Sequence, residues 1–84
     1  MSRPNRFVYV LKNEEQPASY YTGITCDVEQ RLAQHNRGES HHTSGAGPWR
    51  VDVVIEFADE ARAAKMERYL KSGSGRAFAQ RHLR

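Results

Sequence analysis

The sequence is poor in cysteine and has no long apolar run, and each shortage excludes a class of protein. Its single cysteine, Cys26, cannot form a disulfide within the chain and excludes a four-cysteine zinc site. One thiol is typical of a reducing intracellular compartment. No apolar run approaches the roughly 20 residues of a membrane span, and the polar N-terminus differs from a signal peptide. These observations predict a cytoplasmic protein without a membrane segment.

Large apolar residues and lysine are also scarce. Val, Ile, Leu and Phe together number 15 of 84 residues, so the hydrophobic core must be thin. The net charge of +3 is too low to favour disorder, and this length supports one core rather than two. We therefore predict a single domain over residues 1–84. Arginine outnumbers lysine ten to three, which suits phosphate binding but is equally compatible with a merely basic surface.

The remaining pattern predicts three strands and three helices. Branched and aromatic residues indicate strands over 7–11, 20–24 and 49–57. Amphipathic spacing indicates helices over 27–37, 59–71 and 76–83. The predicted fold is an α/β (α+β) sandwich of order β-β-α-β-α-α, in which helices flank a three-stranded, mainly antiparallel sheet. Residues 36–48 lack periodicity and form either a functional loop or a flexible connection.

Four residues mark the predicted ends of the helices. Asp27 and Asp59 can cap the first two helices through their carboxylates. Gly38 can end the first helix, and Gly73 is expected to end the second in a left-handed conformation.

The predicted hairpin contains two tyrosines that could carry chemistry. Tyr9 lies in the first strand and Tyr21 in the second, where tyrosine is most often a packing residue. Here, however, Gly23 leads into a helix on which Arg31 and His35 are four residues apart and share a face. This arrangement could gather a phenol, a guanidinium and an imidazole. Arginine can bind phosphate, and histidine can transfer a proton near neutral pH.

Glu67 on the next helix is the candidate metal ligand. Magnesium typically takes one or two protein carboxylates and keeps several waters. The alternative is an ion pair with Lys71, four residues later in the favourable order.

Weaker candidates lie in the loop and at the C-terminus. Thr43 could contact phosphate, whereas His41 and His42 are either ligands or, more commonly, solvated loop residues. Nucleic-acid contacts are also predicted for Lys71, and for the outward-facing arginines of the last helix, Arg76, Arg81 and Arg84.

The order and spacing of these residues along the chain resemble those of the GIY-YIG nuclease superfamily, and in particular of its small bacterial members of the UPF0213 type. The resemblance covers about residues 6–84 and is carried by Val8-Tyr9, Tyr21-Thr22-Gly23, Arg31, His35 and Glu67. It implies a three-stranded antiparallel sheet flanked by helices. It also implies metal-dependent cleavage of a nucleic-acid phosphodiester. DNA is the expected substrate and repair or recombination the expected pathway, whereas the residues themselves leave the choice between DNA and RNA open.

The resemblance also implies a role for each motif residue. Tyr9 orients or deprotonates the attacking water, Tyr21 orders the site, and Gly23 is the motif glycine. Arg31 steadies the scissile phosphate and His35 lies near the nucleophile. Glu67 binds one Mg²⁺ or Mn²⁺.

The sequence departs from the family pattern at several positions. Phe7 replaces the glycine of the first motif, Thr22 replaces the isoleucine of the second, and Ile24 replaces a lysine of some repair relatives. The relatives also commonly carry a separate DNA-binding domain, which this sequence lacks. The alternative function is therefore a non-catalytic nucleic-acid-binding module, or a subunit that depends on a protein partner or on weak self-association.

Overall fold

Three strands and three helices follow one another in the computed structural model, which describes residues 3–84. The strands are β1 (Phe7–Asn13), β2 (Tyr20–Thr25) and β3 (Trp49–Glu56). The helices are α1 (Val28–Asn36), α2 (Glu60–Leu70) and α3 (Gly73–His82). The order β-β-α-β-α-α and the α+β class are as predicted. Within residues 3–84, no helix has both the length and the apolar character needed to cross a membrane.

The sheet has the order β2-β1-β3, and both pairings are antiparallel. The central strand β1 is buried on both faces. On one face Val8 packs with Ala63 and Leu70 of α2 and with Ala79 of α3. On the other face Tyr9 and its neighbours pack with residues of α1. The sheet is therefore covered by α1 on one side and by α2 and α3 on the other, as a sandwich requires.

The predicted ends of α1 and α2 are largely confirmed. The Asp27 carboxylate accepts the Gln30 N–H at 3.1 Å, and the Asp59 carboxylate accepts the Arg62 N–H at 2.8 Å. Gly38 follows α1 with φ of +76°, a left-handed conformation that glycine adopts without a steric penalty.

The prediction for Gly73 was wrong, because this residue begins α3 instead of ending α2. Ser72 caps the helix by accepting the Gly75 N–H at 3.1 Å. The helix therefore starts three residues earlier than predicted. A serine cap outweighs the low helix propensity of two glycines in the first turn.

The loop between α1 and β3 is tied to the sheet by hydrogen bonds. Asn36 accepts the Trp49 N–H at 2.6 Å and donates to the Trp49 carbonyl at 2.9 Å. The Trp49 indole donates to the Thr43 carbonyl at 3.2 Å, and Asn13 donates to the Ala46 carbonyl at 3.1 Å. Because these hydrogen bonds fix both ends and the middle of the loop, its structure contradicts the flexible connection, and a functional role for the loop stays a prediction.

Candidate active site

Tyr9 lies at the centre of β1, directly opposite Gly23 of β2. A Cβ atom at position 23 would overlap the Tyr9 hydroxyl and the ring carbon that carries it. The glycine of the Tyr-Thr-Gly string is therefore needed because the Tyr9 ring lies across the backbone of the neighbouring strand. In this position the phenol reaches His35 of α1.

A chain of three buried polar groups starts at this phenol. The Tyr9 hydroxyl is 3.0 Å from His35 Nε2, and His35 Nδ1 is 2.7 Å from the Thr43 hydroxyl. The three residues are 1%, 2% and 1% exposed, respectively. Both imidazole nitrogens thus have a partner, which fixes the orientation of the ring.

Tyr21 covers this chain on the solvent side. The centre of its ring is 4.7 Å from that of His35 and 6.2 Å from that of Tyr9. Its outer neighbour is His42, whose ring stacks on it at 6.5 Å. Tyr21 is only partly buried, so it is the member of the cluster that a ligand can reach.

Burial keeps the tyrosine and the histidine neutral. It raises the pKa of Tyr9 above 10.0, although the positive charge of Arg31 opposes this rise. Burial, reinforced by the charge of Arg31, lowers the pKa of His35 below 6.5. At pH 7 the pair is therefore a neutral phenol beside a neutral imidazole, which can accept the phenolic proton.

Arg31 lies beside this pair, on the same helix as His35. Its guanidinium donates to the Gln34 side chain at 2.6 Å. Its charge acts on both Tyr9 and His35, and its effect on the pKa of Tyr9 is larger than that of Lys71. The structure thus brings Arg31 together with the two tyrosines and the histidine, and it leaves a cation where a phosphate could be bound.

Glu67 forms an ion pair with Lys71, whose charge acts on Tyr9. The Glu67 carboxylate is 16% exposed, and its Oε2 is 2.5 Å from Lys71 Nζ, so the predicted ion pair is present. The helix α2 that carries Glu67 packs on β1 and β2, and the charge of Lys71 lowers the pKa of Tyr9 slightly. Within residues 3–84 no three His, Cys, Asp or Glu side chains form a metal cluster. A single carboxylate nevertheless suits a magnesium ion that keeps most of its waters.

The structure changes the prediction for Thr43. The side chain is buried and bonded to His35, so it is not placed to contact a phosphate at the surface. Sequence reasoning missed its contact with His35 because the two residues are eight apart, across a loop without periodicity.

The C-terminal arginines divide between two sides of the molecule. Arg76 and Arg84 line a groove with Lys71 beside Tyr21, whereas Arg81 lies with Phe78 and His82 in another depression. The four-residue spacing of Arg76, Gln80 and Arg84 could have identified this grouping from the sequence.

A central antiparallel hairpin whose two tyrosines meet a helical arginine and histidine is the arrangement that the sequence resemblance implies. The family model for the GIY-YIG catalytic domain matches residues 5–81. The chain therefore belongs to the GIY-YIG family.

Within this family the chain is of the UPF0213 type. It is 34% identical over 77 residues to a UPF0213 protein of Halalkalibacterium halodurans, and the match covers 90% of this chain and 80% of that protein. The solution NMR structure of a UPF0213 protein from Bacillus halodurans matches with a TM-score of 0.55 at 34% identity, with 90% and 80% of the two chains covered.

A second kind of relative is the structure-specific endonuclease subunit SLX1 of Scheffersomyces stipitis. It is 39% identical over 67 residues, which cover 71% of this chain and 20% of that protein. The chain thus spans only a fifth of the length of this relative.

Proposed function

We propose that this protein is a metal-dependent endonuclease that hydrolyses a phosphodiester bond in DNA. The observation that carries the proposal is the hydrogen-bonded chain from Tyr9 through His35 to Thr43, with Arg31 beside it. A neutral base, a phenol and a fixed cation are the groups that in-line attack of water on phosphorus needs.

Tyr9 and His35 act together in moving the proton of the attacking water. A phenol with a raised pKa is a poor base by itself. The Tyr9 hydroxyl can accept the proton of the water only as it passes its own proton to His35 Nε2, 3.0 Å away. This transfer requires a neutral His35 whose Nδ1–H donates to the Thr43 hydroxyl. The lowered pKa of His35 favours that neutral form.

Arg31 and Tyr21 hold the phosphate. The guanidinium compensates the negative charge that develops on the phosphoryl oxygens as the water attacks. Tyr21, partly exposed over the buried pair, orients the phosphate or the water with its hydroxyl.

Glu67 is the residue proposed to hold a single Mg²⁺ or Mn²⁺. Lys71, whose side chain is 51% exposed, can release the carboxylate for this purpose. When bound by Glu67, the ion would supply positive charge against the negative charge that develops in the transition state.

The cellular role that best fits is DNA repair or recombination in the cytoplasm, with a branched DNA as the substrate. The relative from Scheffersomyces stipitis is called a subunit of a structure-specific endonuclease. The second candidate function is accordingly a subunit that cleaves only together with a protein partner.

The test is cleavage of a labelled branched DNA in Mg²⁺ or Mn²⁺, with EDTA as the negative control. We expect the wild type to cleave and Arg31→Ala to be about 10²–10³-fold slower, because one donor to the transition state is lost. Arg50→Ala removes an exposed arginine that pairs with Glu14 and is expected to cleave at the wild-type rate. Equal rates for Arg31→Ala and the wild type would place the activity elsewhere.

Thr43 is a positioning residue, and its removal is expected to change the pH dependence of cleavage. Thr43→Val keeps the shape of the side chain but leaves His35 Nδ1 without its partner. We expect a roughly fivefold slower reaction, since one hydrogen bond of about 1 kcal/mol orients the base. The protonated form of His35 also loses the acceptor of its Nδ1–H, which lowers the pKa of His35. The acidic limb of the kcat/KM profile therefore moves to lower pH.

The conservative variant Thr43→Ser is the control, because it keeps the hydroxyl. It is expected to restore both the rate and the position of the acidic limb. A slow Thr43→Val with an unmoved profile would mean that Thr43 merely supports the loop.

A further inference from the structure

A groove runs beside the active site, between the start of β2 and the end of α3. Its volume is about 560 Å³, and it includes Tyr21, the ring that covers His35. Lys71, at the C-terminal cap of α2, and Arg76 of α3 line its other side. A strand whose phosphate lies at Tyr21 therefore continues into this space, which we call the flanking groove.

The flanking groove is positively charged. Lys71, Arg76 and Arg84 line it, and no Asp or Glu is among the described residues that line it, although Lys71 is paired with Glu67. Arg76, Gln80 and Arg84 are spaced by four residues, so α3 and the segment just beyond it present them on one side. Two or more cations in a row next to a phosphate site suit the backbone of a nucleic acid.

At one end of the flanking groove, two cationic side chains lie over the ring of Tyr20. The Arg84 guanidinium carbon is 3.6 Å from the centre of the Tyr20 ring, and Lys12 Nζ is 5.7 Å from it. Tyr20 directly precedes Tyr21 but points away from the buried pair, into the groove wall. A planar guanidinium on a phenol ring resembles the aromatic and arginine surfaces on which nucleobases stack.

We propose that Tyr20 and Arg84 form a stacking site for one unpaired base that flanks the scissile phosphate, while Lys71 and Arg76 contact the adjoining phosphates. An unpaired nucleotide is required because bases inside a duplex are already stacked on their neighbours and offer no free face. The direction in which the strand enters rests on the proposed function. The binding site itself rests only on the flanking groove and its charges.

The test is a binding titration in EDTA, so that no cleavage occurs. A fluorescently labelled oligothymidylate and a blunt duplex of the same length are compared by anisotropy. For the single strand we expect Tyr20→Leu to weaken binding about 5- to 100-fold, as loss of one stacked base does. We expect Arg76→Gln to reduce the salt dependence of binding by about 0.7 in log–log slope, as loss of one phosphate contact does.

Two control variants match these changes outside the flanking groove. Arg62→Gln removes the same charge from the first turn of α2, at an exposed arginine that pairs with Asp59, and Tyr69→Leu removes an exposed tyrosine of α2. Both are expected to bind the single strand within twofold of the wild type. Binding of the duplex is expected to be insensitive to Tyr20→Leu. Thermal unfolding checks that every variant is folded.

The proposal is overturned if Tyr20→Leu binds the single strand as tightly as the wild type does. It is also overturned if Arg62→Gln weakens binding as much as Arg76→Gln, because the effect would then be one of overall charge. A wild type that binds through Tyr20 but never cleaves would refute the proposed nuclease and leave the stacking site standing. A wild type that cleaves DNA but binds the single strand independently of Tyr20 would support the proposed nuclease and refute the stacking site.

Discussion

Replacing Tyr9 by phenylalanine is expected to lower the rate of DNA cleavage by about 10²–10⁴-fold, the usual contribution of a positioned acid–base group. The substitution removes only the hydroxyl that is 3.0 Å from His35 Nε2. The ring still fits opposite Gly23, where no side chain occupies the space. The proton of the attacking water then has no path to His35. Single-turnover cleavage at saturating protein measures this effect on the chemical step.

The same change has a smaller, separable cost in stability. His35 Nε2 is left buried without a partner, which typically costs about 1–3 kcal/mol. Thermal unfolding measures this loss, and the assay temperature can be set below the transition. Tyr69→Phe, at an exposed tyrosine of α2, is the matched control and is expected to keep full activity. A folded Tyr9→Phe that cleaves within a few-fold of the wild type would contradict the proton path.

Replacing Glu67 by glutamine is expected to reduce metal-dependent cleavage by at least about 100-fold, because the proposed ion contributes several kcal/mol to the transition state. Glutamine keeps the size of the side chain and removes the charge. The measurement is the cleavage rate across a titration with Mg²⁺ or Mn²⁺, in which wild type saturates and the variant does not.

The ion pair with Lys71 offers a second explanation for any effect at Glu67. Lys71→Met breaks the pair from the other side and leaves the carboxylate in place. If Glu67 is a metal ligand, Lys71→Met is expected to keep a saturable response to metal, with weaker binding of nucleic acid as its main defect. Equal losses in the two variants would mean that Glu67 serves only as the partner of Lys71.

The sequence predicted those parts of the fold that depend on local patterns. Alternating branched and aromatic residues located the strands, and the carboxylates of Asp27 and Asp59 located two helix starts. The start of α3 was missed because Gly73 and Gly75 suggest a break, whereas the Ser72 cap and the contact of Gly75 with the backbone of α2 favour a helix. Here tertiary packing outweighs propensity.

The grouping of the candidate site residues was predictable only where it depends on spacing within one helix. Residues four apart on one helix, such as Arg31 and His35, could be placed on one face from spacing alone. The hydrogen-bond partner of His35 could not be predicted, because the irregular loop between α1 and β3 has no periodicity that would place Thr43 beside the imidazole. Burial of the imidazole, and hence its lowered pKa, is likewise a property of the assembled core.

The central claim is that α2 brings one metal-binding carboxylate to the tyrosine hairpin. It is tested most directly by locating Mn²⁺ from the paramagnetic broadening of amide signals in an NMR titration. We expect broadening first around Glu67, then at Tyr21 and Gly23 of the strand on which α2 packs, with both effects lost in Glu67→Gln. Broadening centred on another carboxylate, such as Glu14 or Asp52, and unchanged in Glu67→Gln, would contradict it.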